Sequence, residues 1–192
     1  APSIAAGADI RTDIPRYRIY RDGMLDREVE RITDVWQDDL VTFLLGCSFT
    51  FESALTAAGI RLRHIDEGRN VSMYVTNIAT VRAGMFSGPL VVSMRPIPQT
   101  KVVKAVQVTS RFPNAHGAPV HIGEPKAIGV DDLGKTDYGD ATVVLKDEVP
   151  VFWACGVTPQ AVAAASKPPL MITHAPGHMF ITDLRDEDLA VL

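Results

Sequence analysis

Twice along this chain an apolar run ends in a cysteine, with a threonine three residues later and a helical pattern starting just beyond. The first copy reads Gly46-Cys47-Ser48-Phe49-Thr50-Phe51-Glu52 and the second Ala154-Cys155-Gly156-Val157-Thr158-Pro159-Gln160. Downstream, His64 and Gly68 precede Met73-Tyr74-Val75-Thr76-Asn77-Ile78, as His174 and Gly177 precede Met179-Phe180-Ile181-Thr182-Asp183-Leu184. The cysteines stand 108 positions apart, the histidines 110 and the methionines 106. Matched elements in one order at a near-constant offset predict two similar halves. A strand, cysteine, turn and helix in that order put backbone N–H donors and the positive end of a helix beside the sulfur, an arrangement suited to a carboxylate. Two such units can face one ligand from opposite sides. The competing reading makes both cysteines small buried hydrophobes next to tight turns.

Around these units the pattern predicts an α/β protein with a mixed sheet: two pseudo-repeated strand-Cys-turn-helix units and a connecting subdomain. The division expected is 1–82 (a hairpin plus the first unit), 83–140 (the connection) and 141–192 (the second unit, packing with the first half). Arg16 to Tyr20 alternates, and Arg21-Asp22-Gly23 turns the chain into a second extended stretch, Met24 to Ile32. Val41 to Gly46 reads as a strand, with Ser48 or Thr50 capping a helix that Gly59 ends. Arg61 to Ile65, Met73 to Ile78 and Pro89 to Met94 read as extended, the last bounded by Gly88 and Pro96. Thr100 is expected to cap a helix presenting Val102, Val103, Val106 and Thr109 on one face, ended by Pro113. From Asn114 to Gly139 loops are expected, with a short strand near Val120 and one helical turn. Regular structure resumes over Ala141 to Leu145, then a strand over Val149 to Ala154. Thr158 caps the helix Gln160 to Ala165, with Pro159 as its first residue, and Pro168-Pro169 ends it. Leu170 to Thr173 and Met179 to Leu184 are the expected closing strands.

The chain has 192 residues, enough to bury a core without disulfides or metal staples. Its net charge of −4 and pI of about 5.7 argue against a general polyanion binder, so nucleic acid is not an expected partner. Two cysteines are too few for a small secreted disulfide framework and suggest a reducing compartment. No apolar run approaches a membrane span, and the start lacks a signal-peptide layout. The chain begins at Ala1 and not Met, which leaves room for residues upstream.

Two histidine pairs are closely spaced, His116 with His121 and His174 with His178. Pro176 and Gly177 forbid the helix that would put the second pair on one face, and no Glu lies between them. Loop histidines that bond substrate or backbone are therefore expected, with neither metal nor other cofactor. Arg69-Asn70 and Arg95-Pro96 fall at expected strand edges, where a guanidinium can grip a carboxylate in bidentate fashion. Asp131-Asp132 and the acids from Asp137 to Asp140 lack EF-hand spacing, and no Gly-x-Gly-x-x-Gly or Walker pattern occurs.

Five segments carry a resemblance: Trp36–Glu52, Glu67–Tyr74, Arg111–Gly123, Phe152–Gln160 and Thr173–Asp183. They resemble the D-glutamate cyclase family, also known as YcsI-like hydro-lyases, and the likeness runs from about Asp13 to Arg185. The resemblance implies an α/β protein. It also implies an activity, that of a eukaryotic relative working in mitochondria, which converts D-glutamate to 5-oxo-D-proline and water. Members usually carry a further segment ahead of the point where this chain starts. A cytoplasmic location is expected, or a mitochondrial one if the source is eukaryotic, with a small dicarboxylic substrate as partner and self-association left open.

Lactam formation needs an anchored carboxylate, a base for the ammonium and an acid for the leaving oxygen. From that chemistry, Cys47, Cys155, His116, His121, His174 and His178 are the candidate proton-transfer residues. Thr50, Glu52, Arg69, Asn70, Arg95, Thr158 and Gln160 are the candidate substrate-binding residues. The alternatives are a two-base racemase or epimerase, in which paired thiols serve opposite faces of a carbon, and a non-catalytic binder of small acids. A metal hydrolase ranks behind these.

Overall fold

The computed structural model describes residues 4–191 as a mixed α/β chain with two antiparallel sheets, divided into two compact units. One unit runs through Leu44 and adds Val81–Gly88 and Pro159–Arg185; the other holds Leu45–Thr80, Pro89–Thr158 and the chain from Asp186 on.

In the first unit, the expected hairpin forms from β1 (Tyr17–Arg21) and β2 (Met24–Val29). Asp22 and Gly23 both take positive φ, 50° and 79°, the two-residue turn whose twist matches paired strands. β7 (Met171–His174) adds antiparallel to β1, giving the order β2-β1-β7. Tyr17, Ile19 and Ile32 form the core, with Ile172 of β7, Val35 and Trp36 packed on it. Exposed Asp26, Arg27 and Glu28 charge the outer strand β2, which discourages edge-to-edge pairing. α4 (Thr158–Ser166) begins at Thr158 and continues in this unit.

The second unit is built on a four-stranded antiparallel sheet in the order β3-β4-β6-β5, from β3 (Ser72–Ala79), β4 (Pro89–Pro98), β5 (His121–Ile122) and β6 (Glu148–Ala154). Both faces of central β4 are covered, which explains why its residues are apolar on both sides except at the buried Ser93 and Arg95. On one face Tyr74, Val92, Met94 and Phe152 pack with Ile128 and Val130. On the other, Ile97, Val151 and Trp153 pack under Phe51, Leu55, Ile60, Ala105 and Phe112. These come from the 3-10 turn Ser48–Phe51, α1 (Glu52–Ala57), α3 (Val102–Thr109) and the connecting loops. α2 (Arg63–Asp66) is a single helical turn.

Several elements differ from the sequence reading. Val41 to Gly46 forms no strand: Val41 is 77% and Phe43 78% exposed, and no strand pairs with them. Arg61 to Ile65 turns helical at α2 instead of extending, because the N–H groups of Asp66 and Glu67 bond back to Leu62 and Arg63. β4 does not stop at Pro96. Pro96 stands opposite Pro150, a non-hydrogen-bonded position given the Cys155 N–H bond to Val91 O, and its missing N–H faces the side where β3 has not yet begun. In α3 the buried residues are Ala105 and Thr109, whereas Val103 is 70% exposed. Thr100 lies inside the 3-10 turn Gln99–Lys101, and no side chain caps that turn or α3. Ala141 to Leu145 and Met179 to Leu184 are irregular, so a strand precedes the second cysteine only and follows the first histidine only.

Candidate active site

Side chains alternate across β4, so Ser93 and Arg95 leave the same face, the one on which Trp153 of β6 and Met73 of β3 also lie. Arg95 is fully buried. Its Nε donates to Glu52 Oε1 at 2.9 Å and its Nη2 donates to the same oxygen. Nη1 donates to Ser93 Oγ at 3.1 Å and Nη2 to Ser48 Oγ at 3.3 Å. The guanidinium also lies over the Phe51 and Trp153 rings, 5.2 and 5.5 Å from their centroids. Glu52 Oε1 has a further neighbour: His64 Nε2, buried on α2, sits 3.0 Å away, close enough for an ion pair without being aligned for a hydrogen bond. Burial pushes the Glu52 carboxyl up, but His64 and Arg95 outweigh it and hold it below the ordinary carboxylate range.

Both cysteines lie close to this cation. Cys47 precedes Ser48, the acceptor of Arg95; Cys155 directly follows β6, and its N–H bonds Val91 O on β4 at 3.0 Å. Their turns are alike in one respect: Phe49 and Ser48 turn their N–H groups to the Cys47 sulfur, and Val157 and Gly156 theirs to Cys155. Burial raises both thiols, that of Cys155 to about 11, against the opposing pull of those N–H groups and Arg95. The thiols are close enough for Cys47 to act electrostatically on Cys155. Cys155 Sγ also lies 3.5 Å from Met73 Sδ. The Thr158 hydroxyl holds this turn, donating to Cys155 O at 2.7 Å and accepting from Val91 N–H at 3.1 Å.

His116 closes the cluster. It follows the 3-10 turn Pro113–Ala115 with a left-handed φ of 77°, uncommon for a residue with a side chain. Its Nε2 is buried without a hydrogen-bond partner, and a Cβ built on Gly156 would lie 3.9 Å from it and from Gly46 O. Burial, then Arg95, lowers its pKa, so the imidazole is neutral at pH 7. Gly46 explains how the two turns come so close: a Cβ there would meet Asn114 O at 1.8 Å. Backbone thus touches backbone between the Cys47 and His116 segments.

A sequence model of D-glutamate cyclases matches residues 41–183, most of the chain. The chain belongs to the D-glutamate cyclase family. It is similar to proteins named "Putative hydro-lyase" from Stutzerimonas stutzeri, 66% identical over 188 residues (98% of this chain, 71% of the relative), and from Thermoanaerobacter sp., 68% identical over 187 residues (97% and 71%). It is likewise similar to "Putative hydro-lyase YcsI" of Bacillus subtilis, 66% identical over 192 residues (100% and 75%). The names place these relatives of the D-glutamate cyclase family among carbon–oxygen lyases. No helix among the described residues is long and apolar enough to cross a membrane, and none of them gather three or more His, Cys, Asp or Glu as a metal site.

Within this family member, the structure brings Cys47, Cys155, His116, Arg95, Glu52 and Thr158 into one neighbourhood, with Thr50 in the same turn as Cys47. It places others elsewhere. His121 of β5 packs on Phe152, which belongs to the opposite face of the sheet, with Nε2 2.8 Å from Glu124 O. Arg69 is exposed beside Glu67, and Asn70 Oδ1 accepts from Val71 N–H in the turn leading into β3. His174, His178 and Gln160 belong to the first unit. There His174 Nδ1 lies 2.7 Å from Ala175 O and His178 Nδ1 2.9 Å from Pro176 O. Gln160 takes bonds from Arg18 and Tyr20 and donates to His174 O. The sequence alone does not single out His64, Ser48 or Ser93 as site residues. Ser93 and Arg95, polar residues two apart inside an apolar strand, are the signal that would have found this face.

Proposed function

We propose that the protein is a hydro-lyase that closes a small amino-dicarboxylic acid, D-glutamate, into its lactam, 5-oxo-D-proline, with loss of water. One observation supports the reading most: a neutral imidazole with an unpartnered, buried Nε2 beside two protonated thiols. His116 Nε2 takes a proton from the substrate ammonium. The freed amine attacks the side-chain carboxyl carbon, forming the C–N bond. The Cys155 or Cys47 thiol protonates the leaving oxygen as the C–O bond breaks, a proton from nitrogen restores the thiol, and the His116 imidazolium returns its proton to the departing hydroxide, which leaves as water. Two ammonium protons and one carboxyl oxygen leave as water, so charge is conserved. Arg95 and the N–H groups of the two cysteine turns favour the negative oxygen of the tetrahedral intermediate. Because the attack is intramolecular, folding and desolvating the substrate supply much of the rate.

Incubation of the purified protein with D-glutamate, following 5-oxoproline by chromatography, tests this reading; turnover no faster than the uncatalysed rate overturns it. The neighbouring thiols also favour a second reading, a two-base racemase or epimerase. Deuterium uptake at the α-carbon in heavy water separates the two, since cyclisation leaves that proton in place.

A further inference from the structure

The buried cation invites a question that neutralisation alone does not answer. One carboxylate suffices to balance Arg95, yet His64, itself only 4% exposed, is set against the same Glu52 oxygen. Replacing a buried ionic cluster by apolar side chains is often neutral or stabilising, so its extra members are poor devices for stability. They do fix geometry. Ser48, Glu52 and Ser93 accept four bonds from the guanidinium, and Phe51 and Trp153 flank it. His64 adds a contact to Glu52 at 3.0 Å from a separate element, α2.

We infer that His64 and Glu52 are positioning residues for the proposed reaction, holding the Arg95 guanidinium at a fixed place beside Cys47, Cys155 and His116. Arg95 is the charged group that acts on all three. Its charge works against protonation of His116 and favours negative charge on either sulfur and on the leaving oxygen. A field of this kind is useful only if it does not reorganise during the reaction, and a guanidinium held from several sides meets that condition. The titratable and charged groups bearing on the cluster are Arg95 from β4, Cys155 just after β6, Cys47 ahead of the 3-10 turn and Glu52 from α1; His64 from α2 stands behind Glu52. The inference rests on the cyclase reading for its rate effect but not for its effect on His116.

The test compares the full chain with His64→Leu, which removes the contact to Glu52, and His64→Gln, whose amide can restore it. Kinetics with D-glutamate are read beside the titration of the His116 imidazole by NMR without substrate. In His64→Leu, kcat is expected to fall about tenfold or more with KM little changed, as when a reacting group is slightly misplaced. The acidic limb of the rate profile and the His116 midpoint both move to higher pH, because a cation that wanders opposes protonation less. His64→Gln recovers most of each. Unchanged kcat and His116 titration in His64→Leu overturns the inference, as does an equal loss in both variants with His116 titrating normally. Should His64→Leu not fold, His64→Asn, too short to reach Glu52, takes its place with the same outcomes. If the wild type does not turn over D-glutamate, the cyclase reading fails while the His116 titration still decides the positioning role.

Discussion

The two faces of the four-stranded sheet are made by alternate residues of the same strands, yet they differ in kind. Val92, Met94, Tyr74 and Phe152 form one apolar layer, closed by Ile128 and Val130. One residue along, Ser93 and Arg95 open a buried polar layer that recruits Glu52, His64 and Ser48 and lies next to both thiols and His116. The contrast teaches that β4 packs apolar side chains on both faces but carries its buried charge on one, where Ser93 and Arg95 sit beside the Ile97 and Trp153 core. Its strand period of two keeps that charge off the other face.

The largest expected effect comes from breaking the polar face. Arg95→Met leaves Glu52 buried without its cation and should cost about 3–5 kcal/mol in denaturant unfolding, together with loss of turnover. Adding Glu52→Gln should recover part of the stability and none of the activity; full recovery of both would mean that the layer is only packing. On the apolar face, Met94→Ala should cost about 3 kcal/mol through the cavity it opens, while the kcat of the folded fraction stays as in the wild type.

Two titrations sharpen the contrast further. The folded Cys155 thiol sits at about 11 against an ordinary 9.0. Its stabilising share is therefore complete below pH 9 and is lost as pH rises through 11, an effect on the order of 3 kcal/mol that should vanish in Cys155→Ala. At the acid end the sign is opposite. His116 is lowered from 6.5, so the unfolded chain binds the proton first and stability declines as pH falls below that value. Glu52, lowered from 4.5, adds a further loss as pH falls through its folded value. Stability measured against pH in His116→Gln should lack the first of these steps and keep the second.

What the sequence reveals of this molecule follows the range of the forces involved. The β1-β2 hairpin, β3, α3 and the step from β6 into α4 are written in local signals: alternation, turn residues and a proline just inside a helix. Val41 to Gly46 looks like a strand by composition, but a strand needs a partner and a covered face, and this segment has neither. Cys47, Cys155 and His116 are nameable from their motifs because their turns are local. The link between Arg95, Glu52 and His64 is not, since it joins β4, α1 and α2 across the fold. Pro96 marks a strand end by its local chemistry, which places Arg95 at an edge; the register with β6 carries the strand past it and buries the guanidinium.

Gly46 sets a boundary on what can be redesigned here. Any larger amino acid at that point would run into the carbonyl of Asn114, so the main-chain seam between the cysteine and histidine turns admits hydrogen alone. A mutational library aimed at new substrates can vary the walls around this seam, but position 46 has to stay as it is.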